Sequence, residues 1–120
     1  MQAIDYKEGL HLLVQGKQCT PVSMTGLHAF LELAESTIVE LNLTKTGIVT
    51  HQFENGGYTL VIGLTESHLS VHTWPEYGIV NYDIYLSNYL EVNDDKVLAF
   101  DAMMKAFFRP QQVRETKISR

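Results

Sequence analysis

Residues 58–86 read YTLVIGLTESHLSVHTWPEYGIVNYDIYL and decide the fold. Apolar, aromatic and β-branched residues fill residues 58–64, 69–72 and 79–86, and turn-forming residues separate these runs. Each run has the length of one strand, and Pro75 ends the second of them. The stretch therefore predicts three consecutive strands of an antiparallel sheet.

The segments before this stretch add two more strands and a helix. Residues 48–53 are strand-like, and Asn55-Gly56-Gly57 supplies the positive-φ residues of a tight hairpin to residue 58. Residues 10–14 form a short apolar run that predicts an opening strand. Between residues 27 and 41 apolar side chains recur at three- and four-residue spacing, with glutamates on the other faces. That pattern predicts an amphipathic helix.

A second helix and a final strand are predicted after residue 86. Asn93 or Asp94 can cap the helix, whose apolar stripe extends from residue 97 to residue 107. Pro110 stops it, because proline cannot continue a helix. Residues 111–118 are polar but contain β-branched side chains, which favour an edge strand.

These elements predict an α+β fold in which an antiparallel sheet carries two helices on one face. Apolar strand residues such as Val61, Leu69 and Tyr82 cannot all lie beneath two helices. We therefore expect the second face to stack on the sheet of a partner subunit. The predicted assembly is a homodimer, an αββα sandwich.

Composition limits the class of protein. The 120 residues are 45% hydrophobic and 19% charged, as in one globular domain. A net charge of -5 with scattered basic residues gives no support for nucleic-acid binding. Cys19 is the only cysteine, and the chain shows neither a secretory signal nor an apolar run of membrane-spanning length. We expect a cytoplasmic location and no membrane partner.

One motif lies within the strand region. Residues 66–78 read ESHLSVHTWPEYG and resemble the self-cleavage signature of the bacterial and archaeal S-adenosylmethionine decarboxylases. The segments Gly9-Leu10-His11-Leu12 and Thr50-His51-Gln52-Phe53 resemble the first and second strands of that family. The resemblance is densest from residue 65 to residue 85 and covers most of the chain.

The resemblance implies that the protein makes its own cofactor. In that family the serine hydroxyl, here Ser67, attacks the carbonyl of the preceding glutamate, here Glu66. The resulting ester eliminates to leave a pyruvoyl group. The expected products are residues 1–66, the β chain, and residues 67–120, the α chain. The implied reaction is decarboxylation of S-adenosylmethionine to the aminopropyl donor of spermidine synthesis.

The residue types suit this chemistry. Decarboxylation of an amino acid leaves a carbanion at Cα, and a carbonyl that captures the substrate amine supplies the electron sink. His72 is the predicted base for the self-cleavage, by its place in the motif and its titration range. Strand alternation puts Ser67 and His72 on opposite faces, so a turn or bulge is expected around residues 66 and 67.

The resemblance implies further roles. Thr59 lies where the family has a serine that helps hold the scissile carbonyl. Phe53, Glu76 and Leu69 are the implied substrate-binding residues. Phe53 corresponds to the aromatic residue that stacks on adenine, and Glu76 to the carboxylate that receives the ribose hydroxyls.

Ser87 departs from the family pattern. The family usually has a cysteine there, which returns a proton to Cα, and a hydroxyl is a far poorer acid than a thiol. Ser87 would have to relay the proton, or Tyr82, Tyr85 or His72 would have to supply it. Two other interpretations stay open: a pyruvoyl-dependent decarboxylase of ornithine or arginine, and a non-catalytic homologue that partners an active paralogue.

The histidine pattern predicts no metal site. On one strand His68 and His72 would stand roughly 13 Å apart, too far to share an ion. His11, His28 and His51 show no common spacing and are interpreted as structural or surface residues.

Overall fold

The structure is a computed structural model that describes residues 6–88 and 91–120. Six strands and three helices are formed by these residues. In chain order they are β1 (Leu10–Lys17), α1 (Pro21–Met24), α2 (Leu27–Glu40), β2 (Lys45–Gln52), β3 (Tyr58–Leu64), β4 (Ser67–Trp74), β5 (Ile79–Leu86), α3 (Asp94–Phe108) and β6 (Gln112–Ser119). Every predicted strand and both predicted helices are confirmed, and α1 is an addition that the sequence indicated only as a turn.

The strands form one antiparallel sheet in the order β2-β3-β4-β5-β1-β6. The run from β2 to β5 is a meander of neighbouring hairpins, as the sequence predicts. β1 pairs with both β5 and β6, so it lies between the end of the meander and the edge strand β6. The α+β class is therefore confirmed.

The core lies between one face of the sheet and the helices. Phe30 of α2 contacts Tyr58 of β3 and Phe108 of α3, with ring centroids 6.3 and 5.6 Å apart. Leu69 and Tyr82 lie in this core, 0% and 4% exposed. Val61 does not lie there, so the expectation that these three residues cannot all lie beneath the helices is confirmed.

The second face, called here the open face, carries the alternate residues of each strand. Val61 lies on it, 36% exposed, as do His68, Ser70 and His72 of β4. These side chains are mostly polar and only partly buried, whereas their strand neighbours lie in the core. None of the described helices covers this face, and its burial by a partner subunit stays a prediction.

The helices end where the sequence predicts. Asn93 is the residue before α3, although its side chain makes no capping hydrogen bond to the helix. Arg109 closes α3 in the left-handed conformation, with φ 48°, directly before Pro110. Within residues 6–88 and 91–120, no helix is long and apolar enough to cross a bilayer.

Gly9 sits where β1 approaches the end of β5, and we expect Gly9→Ala to destabilise the fold. A Cβ there would lie 2.1 Å from the carbonyl oxygen of Leu86 and 2.9 Å from Cα of Ser87. The backbone would have to shift, which costs about 2 kcal/mol or more of the free energy of unfolding. Urea unfolding measures this.

Gly47→Ala is the matched control, since nothing lies within 4 Å of its added Cβ. It should change the free energy of unfolding by less than about 1 kcal/mol. Equal losses in the two variants would contradict the close approach at Gly9.

Candidate active site

The peptide between Glu66 and Ser67 lies at a tight turn. Thr65 and Glu66 form the two-residue connection between β3 and β4, and Ser67 is the first residue of β4. The carbonyl oxygen of Glu66 accepts a hydrogen bond from the backbone N–H of Ser87, 2.9 Å away. A backbone donor therefore already polarises the carbonyl that the Ser67 hydroxyl would attack.

The segment after β5 holds that donor in place. The Asn93 side chain donates to the carbonyl oxygen of Ser87 at 2.7 Å, and its backbone N–H donates to Asn88 Oδ1, also at 2.7 Å. The Asn88 amide in turn donates to the carbonyl oxygen of Glu8 at 2.8 Å. Both asparagines are buried. Sequence analysis predicts no role for Asn88 and only a helix cap for Asn93.

The pairing of β4 with its neighbours contains no bulge. β4 pairs with β5 from Ser67 to Trp74 and with β3 from Ser67 to His72, in both cases without a register shift. The turn at residues 65 and 66 precedes Ser67, so it does not change the faces of the later residues. Of the predicted turn or bulge, the turn is therefore present and a bulge is not. Ser67 and His72 of one chain lie about 16 Å apart along the strand.

Several predicted residues meet at the far end of β4 instead. Thr59 and His72 are cross-strand partners, and Thr59 Oγ1 lies 3.1 Å from His72 Nδ1. Phe53 and Glu76 line the same groove, whose volume is 530 Å³. Glu76 Oε2 accepts a hydrogen bond from the Asn55 amide at 3.0 Å. The groove thus combines an aromatic surface, a carboxylate and an imidazole.

Two further side chains complete the comparison with the sequence prediction. Trp74 lines the groove and is 47% exposed, yet the sequence analysis gave it no role. A tryptophan two residues after the motif histidine was the available signal. Leu69 is fully buried on the helix side. Its predicted contact with substrate needs correction, because its side chain cannot reach a ligand from the core.

The alternative proton donors differ in their surroundings. Tyr82 lies beneath the helices, where its hydroxyl donates to Asp101 Oδ1 at 2.5 Å. Burial, together with that neighbouring carboxylate, raises its pKa far above the usual range of a phenol. Tyr82 is therefore excluded as a donor to a site at Ser67. Tyr85 lies on the open face, and its hydroxyl donates to the carbonyl oxygen of Arg120 at 2.9 Å.

The structure also brings together residues that the sequence did not connect. His11, His68 and Asp83 lie on three adjacent strands, and their ligand-type atoms are within 4.8 Å of one another. His11 is therefore a buried member of a polar cluster, which the sequence could not predict because no common spacing relates it to His68.

Comparison with known proteins adds independent information. The profile of the family described as S-adenosylmethionine decarboxylase matches residues 10–120. An S-adenosylmethionine decarboxylase proenzyme from Picrophilus torridus is 35% identical over 112 residues, which are 93% of this chain and 83% of that protein. Its namesake from Thermodesulfovibrio yellowstonii is 34% identical over 80 residues, and the match covers 67% of this chain and 59% of the relative.

A solved structure has the same fold. The crystal structure of the adenosylmethionine decarboxylase from Aquifex aeolicus superposes with a TM-score of 0.82 at 27% identity. The superposition covers 96% of this chain and 92% of that one. The similarity therefore extends over nearly all of both chains.

Proposed function

This chain belongs to the S-adenosylmethionine decarboxylase family, and on that premise we propose that it is a self-cleaving, pyruvoyl-dependent decarboxylase of S-adenosylmethionine. The observation that carries the proposal is the hydrogen bond from the Ser87 N–H to the carbonyl oxygen of Glu66. It lies at the one peptide bond that the motif marks for cleavage.

The proposed cleavage has three steps, an acyl shift, an elimination and a hydrolysis. The Ser67 Oγ bonds to the Glu66 carbonyl carbon, the C–N bond of that peptide breaks, and the nitrogen takes the hydroxyl proton. A base then removes a proton from Cα of residue 67, which expels the Glu66 carboxylate and leaves dehydroalanine. Addition of water and loss of ammonia give the pyruvoyl group. Negative charge develops on the Glu66 oxygen in the first step, where the Ser87 N–H stabilises it.

The base is proposed to come from a second copy of the chain. His72 cannot reach Ser67 of its own chain, because about 16 Å of β4 separates them. A two-fold axis that runs across the strands and stacks two open faces about 10 Å apart would lay the start of one β4 towards the end of the other. Thr59 and His72 of one subunit would then meet Ser67 of its partner. This geometry supports the predicted homodimer.

The groove supports the substrate class. An adenosyl group needs a flat apolar surface for its base and an acceptor for its ribose hydroxyls. Phe53, which is 51% exposed, provides the first, and Glu76 provides the second. A volume of 530 Å³ suits a ligand of nucleoside size. Ornithine or arginine would leave the aromatic surface of this groove unused.

The residues around position 67 fit a pyruvoyl group. From His68 onward β4 is held by pairing with both β3 and β5, so residue 67 can become a chain end without loss of the sheet. The group would supply the carbonyl that withdraws electrons from the scissile carbon–carboxylate bond. Ser87 lies beside it and would hold or relay the proton that returns to Cα. His72 and Thr59 of the partner would orient the reacting groups.

Mass spectrometry of freshly purified protein tests the cleavage. We expect two pieces, residues 1–66 and 67–120, whose summed mass exceeds that of the precursor by one water less one ammonia. Ser67→Ala should remain a single chain and is the matched control. A wild-type chain that stays intact on long incubation would refute the proposal.

Release of carbon dioxide identifies the substrate. The cleaved enzyme should act on S-adenosylmethionine and leave ornithine and arginine unchanged. Activity on either of those amino acids alone would support the alternative reading of Ser87. The cytoplasmic location stays a prediction from the sequence.

A further inference from the structure

A carboxylate network lies on the open face next to the proposed cleavage site. Asp83 Oδ2 accepts hydrogen bonds from Nε2 of His11 at 2.7 Å and Nε2 of His68 at 2.8 Å. Asp83 Oδ1 accepts a hydrogen bond from the Ser70 hydroxyl. The Arg120 guanidinium faces His11 Nδ1 at 3.4 Å. One carboxylate thus ties β1, β4 and β5 together.

Hydrogen bonds explain this geometry better than a metal ion does. Two ligands of one tetrahedral zinc lie about 3.3 Å apart, given metal–ligand bonds of about 2.0 Å. The N–O distances here are 2.7 and 2.8 Å, as in charge-assisted hydrogen bonds. Arg120 can only donate, so His11 Nδ1 is an acceptor and its proton lies on Nε2. That nitrogen has no lone pair for a metal.

The carboxylate is charged at neutral pH. Partial burial by itself would raise the pKa of Asp83, but the hydrogen bonds from Ser70, His11 and His68 outweigh it and hold the pKa below its usual range. Each bond is therefore made to an anion, which makes it stronger than a neutral one.

His68 is the residue next to the scissile peptide. Once cleavage has occurred, residue 67 is a free chain end, and strand ends fray unless they are tied down. The bond from His68 to Asp83 is the first side-chain anchor after that end. Its partner Asp83 lies on the same strand that leads to Ser87, the donor to the Glu66 carbonyl.

We infer that Asp83 is a positioning residue, which acts through His68 to hold residue 67 against Ser87 both before and after cleavage. The inference rests on the proposed self-cleavage for its functional consequence. His11 and His68, which share Asp83, would then have a role different from that of His72. His72 lies on the same face but at the other end of β4.

A pair of substitutions separates positioning from proton transfer. His68→Ala removes the bond to Asp83, whereas His68→Gln offers an amide that can donate to Asp83 but cannot carry a catalytic proton. We expect His68→Ala to cleave at least about tenfold more slowly, since small misplacements of reacting groups have effects of this order. His68→Gln should keep most of the wild-type rate. Mass spectrometry follows cleavage, and hydrogen exchange follows the amides of residues 67–70.

Each result decides the inference. Faster exchange at residues 67–70 in His68→Ala, with exchange elsewhere unchanged, supports it. Wild-type cleavage and exchange in His68→Ala would overturn it. So would a His68→Gln chain that is as slow as His68→Ala yet exchanges like the wild type, because proton transfer would then be the role. His28→Ala, at an exposed position of α2, is the control.

These experiments distinguish failure of the proposed self-cleavage from failure of the role inferred for Asp83. A wild-type chain that does not cleave refutes self-cleavage, while the exchange of residues 67–70 in the uncleaved variants still tests whether Asp83 anchors the start of β4 through His68.

Discussion

Co-expression of a Ser67→Ala chain with a His72→Ala chain is expected to restore a cleavage that neither variant performs alone. In a mixed dimer, Ser67 of the His72→Ala chain faces an intact His72 on its partner. The other site of that dimer lacks both residues. With random pairing, about half of the His72→Ala chains should therefore be cleaved. A short tag on one chain lets mass spectrometry tell the products apart.

We expect this result because β4 pairs with both neighbouring strands without a register shift. His72 lies about 16 Å from Ser67 within one chain, far beyond the reach of proton transfer. The double variant Ser67→Ala/His72→Ala is the matched control, since as a partner it cannot provide the imidazole. If the His72→Ala chain stays intact beside the Ser67→Ala chain, the shared site is refuted. Cleavage of His72→Ala alone at the wild-type rate would remove His72 from the mechanism.

Much of the fold follows from short-range patterns. β3 and β5 were predicted at their observed bounds, because each is an apolar run enclosed by turn residues. α3 ends before Pro110 as predicted, since proline stops a helix for local reasons. β1 extends to Lys17, beyond the predicted residue 14, because pairing with β5 and β6 overrides the weak strand preference of its polar end.

The site was less accessible to sequence reasoning. The motif and its spacing predict Ser67, His72 and Glu76 as site residues, but they do not say whether these residues meet in one chain. That depends on the register of β4 with its neighbours, which tertiary pairing decides. The hydrogen bond between His11 and Asp83 could not be predicted from the sequence either. The two residues are 72 positions apart, and only the placement of β1 beside β5 brings them together.

Leu69 illustrates the limit of carrying a role over by position alone. Its place in the motif indicated a contact with substrate, whereas alternation within β4 turns its side chain to the helices. Asn88 and Asn93 show the converse. Neither belongs to a motif, yet both fix the segment that presents the Ser87 N–H to the Glu66 carbonyl.

Ser87→Cys is expected to raise turnover of S-adenosylmethionine by about tenfold or more, because a positioned general acid contributes factors of this order and above. A thiol with a pKa near 8.5 donates a proton at neutral pH far more readily than a hydroxyl does. Self-cleavage should keep its wild-type rate, since the donor to the Glu66 carbonyl is the backbone N–H of residue 87, which the substitution retains. Initial rates of carbon dioxide release measure the first effect, and mass spectrometry measures the second.

Ser87→Ala is the matched control and shows whether the Ser87 hydroxyl takes part in proton transfer. If the Ser87 hydroxyl relays the proton, the alanine variant should cleave normally and turn over more slowly than the wild type. Activity of the cysteine variant should also fall as the pH rises through the thiol pKa, because the thiolate has no proton to return, and the wild type should lack that descending limb. Equal turnover in all three proteins would mean that proton return does not limit the reaction and that Cα receives its proton from another group, with Tyr85 or the partner's His72 the groups to test next.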